Sequence, residues 1–153
     1  MEKMNNIDNF RSILEFYNRI RQISRNIEIA RDKLVKDFNL SGAHFFLLCN
    51  VWLKEKCNYT ELAKESGLAK NTVSILVKPL IKQNLLVQIL EPKDARIIQL
   101  TLSPKGEELI LKIFESITVT RSESLKSLSE RLHSPNGEDI LSQLRFVLDF
   151  WEK

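Results

Sequence analysis

Apolar positions recur at helical spacing through most of the chain. Phe10, Ile13, Tyr17, Ile20, Ile27 and Leu34 step by three, four and seven, which predicts one amphipathic helix over 6–37. At 1.5 Å per residue such a helix spans roughly 45 Å, more than a small lobe needs, so it braces a second lobe or a second chain. Ser41 is an N-cap for the strongly apolar run that follows and contains Cys49 and Trp52. Tyr17 and Trp52 read as core positions, and His44 as capping or packing its own helix. A loop around Cys57 and Asn58 leads to "YTELAKESGLAKNTVSILVKPLIKQNLL", where Thr60 is placed as N-cap, with Glu61 in the first turn. Gly67 supplies the left-handed residue that ends this short helix before a second begins. The period then changes. "LLVQILEPKDARIIQLTL" has two apolar runs around a charged turn, the pattern of a β-hairpin. Ser103–Pro104 opens another helix with Leu109, Ile110, Ile113, Phe114 and Ile117 on one face. Ser134–Pro135 opens the last, with Ile140, Leu141, Leu144, Val147, Leu148 and Trp151 as its stripe. The fold class is mainly α with one small hairpin.

Residues 60–83 fit a helix-turn-helix. Ala63 is small where the two helices cross, Gly67 turns the chain, and Leu62, Leu68, Val73 and Leu76 fill the space between. With Val73, Leu76, Val77 and Leu80 inward, Lys70, Asn71, Ser74 and Lys78 form an outward ridge. Asn pairs bidentately with adenine, Lys reaches guanine or phosphate, and Ser donates to either, so the ridge has the chemistry of a major-groove reader.

Charge supports that reading. The 153 residues carry a formal net charge of only +3, but residues 69–90 hold Lys70, Lys78 and Lys82 and no acid. A basic stripe in a nearly balanced chain suits a polyanion. A hydrophobic fraction of 43% supports a packed core. No run approaches a membrane span and the N-terminus lacks a signal-peptide apolar region, so the expected location is the cytoplasm, with no membrane partner. Cys49 and Cys57 are too few for a disulfide framework, and Cys57, in its loop, is the more exposed of the two. His44 and His133 are too far apart in sequence to suggest a metal cluster. There is no nucleophile–base pair and no phosphate-cradling glycine loop, so neither a catalytic site nor a cofactor is expected.

Two motifs resemble those of the MarR family of winged helix-turn-helix transcription regulators. "ELAKESGLAKNTVSILVKPLIKQNLL" resembles the family's helix-turn-helix, and "DARIIQLTLSPKG" its wing signature, matched at Asp94, Arg96, Leu102 and Gly106 with Ser103 in place of Thr. The resemblance covers nearly the whole chain. It implies a winged-helix DNA-binding lobe at 40–103 and a helical dimerisation lobe from 6–37 and 104–152. It implies a homodimer that binds double-stranded DNA at near-palindromic operators, most often as a repressor, and is released by a small aromatic or acidic effector. Carried over by position, the DNA-binding residues are Lys70, Asn71, Ser74, Ile75, Lys78, Lys93, Asp94 and Arg96, with Asp94 orienting Arg96 into the minor groove. An effector pocket between the lobes would draw on Tyr17, Arg21, His44 and Trp52. The chain departs from the pattern at Ile75, where the family often has Arg and where contact with a thymine methyl is the expectation. It departs again at Gln88, Ile89 and Ala95, where the family is often basic. Pro79 falls inside the recognition helix, where it removes one backbone hydrogen bond and is expected to kink it. These departures motivate an alternative reading, a winged-helix protein-interaction module with weak or no DNA binding.

Overall fold

The computed structural model describes residues 2–91, 94–136, 138, 139, 142 and 144. Of the stripe expected on the last helix, Ile140, Leu141, Val147, Leu148 and Trp151 lie outside the described residues. So does Lys93, and so do the side chains of Asp94 and Arg96. The chain divides into two compact units, Met1–Ile113 and Phe114–Lys153.

The first unit begins with α1 (Glu2–Val35), a 34-residue helix followed by a 3₁₀ turn at Lys36–Phe38. Most of the α1 stripe is exposed: Phe10 is 57% exposed, Ile27 57% and Tyr17 42%, whereas Val35 at the C-terminal end is fully buried. Tyr17 is therefore not a core residue of the single chain, contrary to its pattern. Helix α2 (Gly42–Lys54) starts at Ser41, whose hydroxyl accepts the His44 N–H at 3.2 Å, as expected of an N-cap. Asp32 of α1 accepts the Gly42 N–H at 2.6 Å and ties the two helices together. Phe45, Leu47, Leu48 and Val51 of α2 enter the core. Trp52, assigned to the core by sequence, is 41% exposed, because the α2 face that packs inward runs through Leu48 and Val51 instead.

The presumed loop at Cys57 is a strand, β1 (Lys56–Asn58). Helices α3 (Tyr59–Ser66) and α4 (Lys70–Lys82) follow, then β2 (Leu86–Glu91), β3 (Asp94–Leu102) and α5 (Pro104–Leu132). The hairpin expected at 85–102 is present, and β1 adds a third strand to make an antiparallel sheet in the order β1-β3-β2. Cys57 pairs with Leu100 and is buried, 2% exposed, which corrects its placement in an exposed loop. One sheet face supplies Leu86, Leu100 and Leu102 to a core shared with Leu62, Val73, Val77, Leu80, Ile110 and Ile113. Each such aliphatic side chain contributes about 1.5–3 kcal/mol on burial.

The N-cap of α3 is Asn58, not Thr60. Its side-chain Oδ1 accepts the Thr60 and Glu61 N–H groups at 2.9 and 3.0 Å, and the Glu61 carboxylate accepts the Asn58 N–H at 2.9 Å. This reciprocal capping box satisfies backbone donors that Thr60, one position inside the helix, has no way to reach. Gly67, at φ +65°, ends α3 as the sequence pattern predicts. The Leu68 N–H bonds back to Ala63 and that of Gly67 to Lys64. Asn84, at φ +57°, ends α4 the same way, with Leu85 N–H on Leu80 and Asn84 N–H on Ile81.

Helix α5 is docked at its first turn onto the end of α4. The Ser103 N–H donates to the Leu85 carbonyl at 3.1 Å and its hydroxyl to the Asn84 carbonyl at 2.5 Å. The same hydroxyl accepts the Gly106 N–H at 3.0 Å, and Lys105 Nζ donates to the Gln83 carbonyl at 3.0 Å. A Cβ at Gly106 would stand 2.1 Å from the Leu85 oxygen, so glycine is required by close approach. Ser103 and Gly106 of the wing signature therefore have a structural role in docking α5.

In the second unit, α5 departs from helical geometry at Arg121 (φ −142°, ψ 27°). Thr118 and Thr120 immediately before it bond back to the Phe114 and Ser116 carbonyls at 2.9 and 2.8 Å, a pattern that bends helices.

Candidate nucleic-acid interface

Helix α4 separates its faces sharply. Val73, Val77 and Leu80 are fully buried, while Lys70, Asn71 and Lys78 are exposed, Ser74 is half-buried and Ile75 is 67% exposed. The side chains assigned to recognition thus stand on the solvent side of a helix pinned from behind by the core. The first turn of α4 carries Lys70 and no acid, so its field is positive. The helix runs through Pro79 to Lys82 and does not end there. Proline's missing N–H takes the helical partner from the Ile75 carbonyl, and Ile75 is on the solvent side of the helix.

The ridge borders a hollow of about 560 Å³ lined by Tyr59, Thr60, Lys70, Asn71, Ser74 and Ile98, among others. It joins the first residues of α3, the exposed side of α4 and the wing strand β3. Among the described residues that line it there is no carboxylate, and Lys70 is its one cation. Tyr59 and Thr60 were not assigned to a site from sequence. Their signal was the Asn58–Glu61 capping spacing, which makes Tyr59 the first residue of α3 and sets it beside the wing. There Gln88 Nε2 of β2 donates to the Tyr59 hydroxyl at 2.8 Å.

The wing pairs Leu86 with Leu102 and continues to Glu91 opposite Asp94, with a register irregularity between Leu90 and Glu91. On β2, Ile89 is 49% and Leu90 62% exposed. Glu91 accepts from Gln99 Nε2 at 3.2 Å.

The residues assigned to an effector pocket are on α1 and α2. The Arg21 guanidinium is 6.0 Å from the Tyr17 ring centroid, at the limit of a cation–π contact. The surface hollow lined by Arg21, Gln22 and Arg25 includes none of Tyr17, His44 and Trp52. The His44 Nδ1 is 2.8 Å from Ser41 Oγ. Its Nε2 is buried with no hydrogen-bond partner among the described residues, and burial lowers its pKa below the ordinary 6.5. Burial pushes both thiols up to about 11; at Cys57 the nearby Glu61 carboxylate adds to the effect. Thiols so raised are poor nucleophiles and poor redox sensors. No group of three or more potential metal ligands occurs among the described residues, and none of their helices is long and apolar enough to cross a membrane.

No protein-family model matches the chain. Among curated proteins it is similar to the HTH-type transcriptional regulator SarZ of Staphylococcus aureus, 27% identical over 97 residues, covering 59% of this chain. The match spans 66% of that relative's length, just under two thirds. Among solved structures it is similar to the transcriptional regulator BldR from Sulfolobus solfataricus, with a TM-score of 0.68 and 26% identity over 89% of this chain and 94% of that one. It is also similar to a mutant MarR from E. coli complexed with operator DNA, with a TM-score of 0.71 and 15% identity over 91% of this chain and 97% of that one.

Proposed function

We propose that this chain, whose fold is that of the MarR-family regulators, is a sequence-specific double-stranded DNA-binding transcriptional regulator acting as a homodimer. The observation that carries the reading is α4: a helix held by three fully buried residues that exposes Lys70, Asn71, Ile75 and Lys78 beside a wing. In this reading α4 enters the major groove. Asn71 and Ser74 meet base edges, Ile75 meets a thymine methyl, and Lys70 and Lys78 meet guanine or phosphate. Lys93, Asp94 and Arg96 belong to the wing that reaches the flanking minor groove. The lobe at 40–103 binds DNA, and 6–37 with 104–152 form the dimerisation lobe. The exposed apolar stripe of α1 supports the second assignment, since Phe10, Ile23 and Ile27 are each more than half exposed in the single chain. Such a patch marks an association surface. The dimer is further proposed to be a repressor of near-palindromic operators, released by a small aromatic or acidic effector.

Titration of labelled duplex DNA tests this. Affinity should fall steeply with salt. Lys70→Ala and Arg96→Ala should each weaken binding, and equal affinity of both variants with wild type would refute this docking. The exposed Ile89 and Leu90 on the wing favour a second reading, a protein-interaction module. Purified protein that ignores duplex DNA at low salt and binds a protein partner would establish it.

A further inference from the structure

We propose that the hollow between α3, α4 and the wing is a saddle for one DNA phosphodiester strand, and that Tyr59, oriented by Gln88, is a phosphate-binding residue within it. The inference rests on the DNA-binding reading above and deepens it.

A strand that leaves a major groove occupied by α4 and passes under the wing must cross the surface between them. That surface is the hollow. It offers a cation at Lys70, hydroxyls at Tyr59 and Thr60, and apolar side chains at Ile97 and Ile98. Cations and hydroxyl donors suit phosphate oxygens, and apolar side chains suit deoxyribose faces.

Tyr59 is distinguished from the other donors by its fixed geometry. A free phenol rotates, and part of any hydrogen-bond gain is lost in ordering it. Here the oxygen accepts from Gln88 Nε2 at 2.8 Å, so its own O–H proton is left to donate elsewhere. The capping box holds the backbone at Tyr59 as the first residue of α3, and the pairing of Gln88 with Leu100 holds the other partner in the sheet. The wing thereby positions a donor on the helix-turn-helix. Gln88 is a positioning residue: it acts through Tyr59 and brings no charge of its own.

The test is a fluorescence anisotropy titration of the full-length protein at several salt concentrations. It uses a duplex selected from a random pool and an unrelated duplex. Tyr59→Phe removes only the hydroxyl. It should weaken binding about tenfold per protomer, the size expected for a hydrogen bond to a charged group, hence about a hundredfold for the dimer, and equally on both duplexes. Because the hydroxyl is neutral, the slope of log affinity against log salt should not change, whereas Lys70→Ala, which removes one cation from each protomer, should reduce it by about two. Gln88→Ala should weaken binding by less than Tyr59→Phe, and the double variant should bind as Tyr59→Phe does. Wild-type affinity in Tyr59→Phe overturns the phosphate role. A loss confined to the selected duplex overturns it in favour of base reading. Additive losses in the double variant overturn the positioning role of Gln88. If the wild-type protein itself binds neither duplex, the DNA-binding reading falls and the saddle with it.

Discussion

Replacing Gly106 with alanine tests the docking of α5 on the end of α4. The new Cβ would lie 2.1 Å from the Leu85 oxygen and 3.1 Å from its carbonyl carbon. Van der Waals contact between carbon and oxygen requires roughly 3.2 Å, so the α5 turn must retreat by about 1 Å. That movement strains the Ser103 bonds to Leu85 and Asn84 and the Gly106 bond to Ser103. Overpacking of this kind costs about 1–3 kcal/mol, and loss of a buried hydrogen bond a further 1–3 kcal/mol. Alanine's better helix propensity returns about 1 kcal/mol. The net expectation is a destabilisation of about 1–5 kcal/mol, centred near 3, or a fall in Tm on the order of 10 °C for a chain of this size. Urea unfolding followed by far-ultraviolet circular dichroism, at fixed protein concentration, measures it. Gly67→Ala is the control. It meets nothing within 4 Å and suffers only its φ of +65°, so it should cost about 1–2 kcal/mol. Gly106→Ala at wild-type stability, or less harmful than Gly67→Ala, would refute the reasoning.

Asn58→Ala should lose about 1–2 kcal/mol of unfolding free energy through the capping box, while Thr60→Ala should be nearly neutral; chemical denaturation distinguishes them. The His44 pKa is lower in the folded chain than the unfolded value near 6.5, so the unfolded chain binds the extra proton first. Stability should therefore fall as pH drops through 6.5 and level off once folded His44 titrates, and His44→Gln should flatten that segment of the urea-midpoint profile. With both thiols at about 11, only about one in a thousand is ionised at pH 8. A colorimetric disulfide reagent should react slowly with the native protein and rapidly with two thiols after denaturation; a fast native phase at Cys57 would contradict its burial.

Helices α1, α2, α4 and α5 were legible because their apolar spacing is regular, and the hairpin because the period changes abruptly at Leu85. Val73, Val77 and Leu80 of α4 followed from the same spacing, while Leu76, also expected inward, is half-buried. Strand β1 was not legible: three residues, Lys-Cys-Asn, are too short to show alternation, and only pairing with Gln99–Thr101 makes them a strand. Thr60 next to an acidic residue mimics an N-cap, whereas Asn58, three residues before Glu61, has the capping-box spacing that the structure uses. The exposure of Tyr17 and Trp52 was hidden because periodicity identifies an apolar face without saying what covers it. The tie between Gln88 and Tyr59 joins residues 29 apart in sequence through the sheet, and no local pattern announces it.

Selection of bound duplexes from a random DNA pool, followed by titration of the enriched sequence, tests the central claim most directly. The account predicts enrichment of a near-palindrome with half-sites one helical turn apart, bound with an affinity that falls steeply with salt and is weakened by Lys70→Ala. A pool that shows no enrichment, or binding that neither salt nor Lys70→Ala alters, would contradict it.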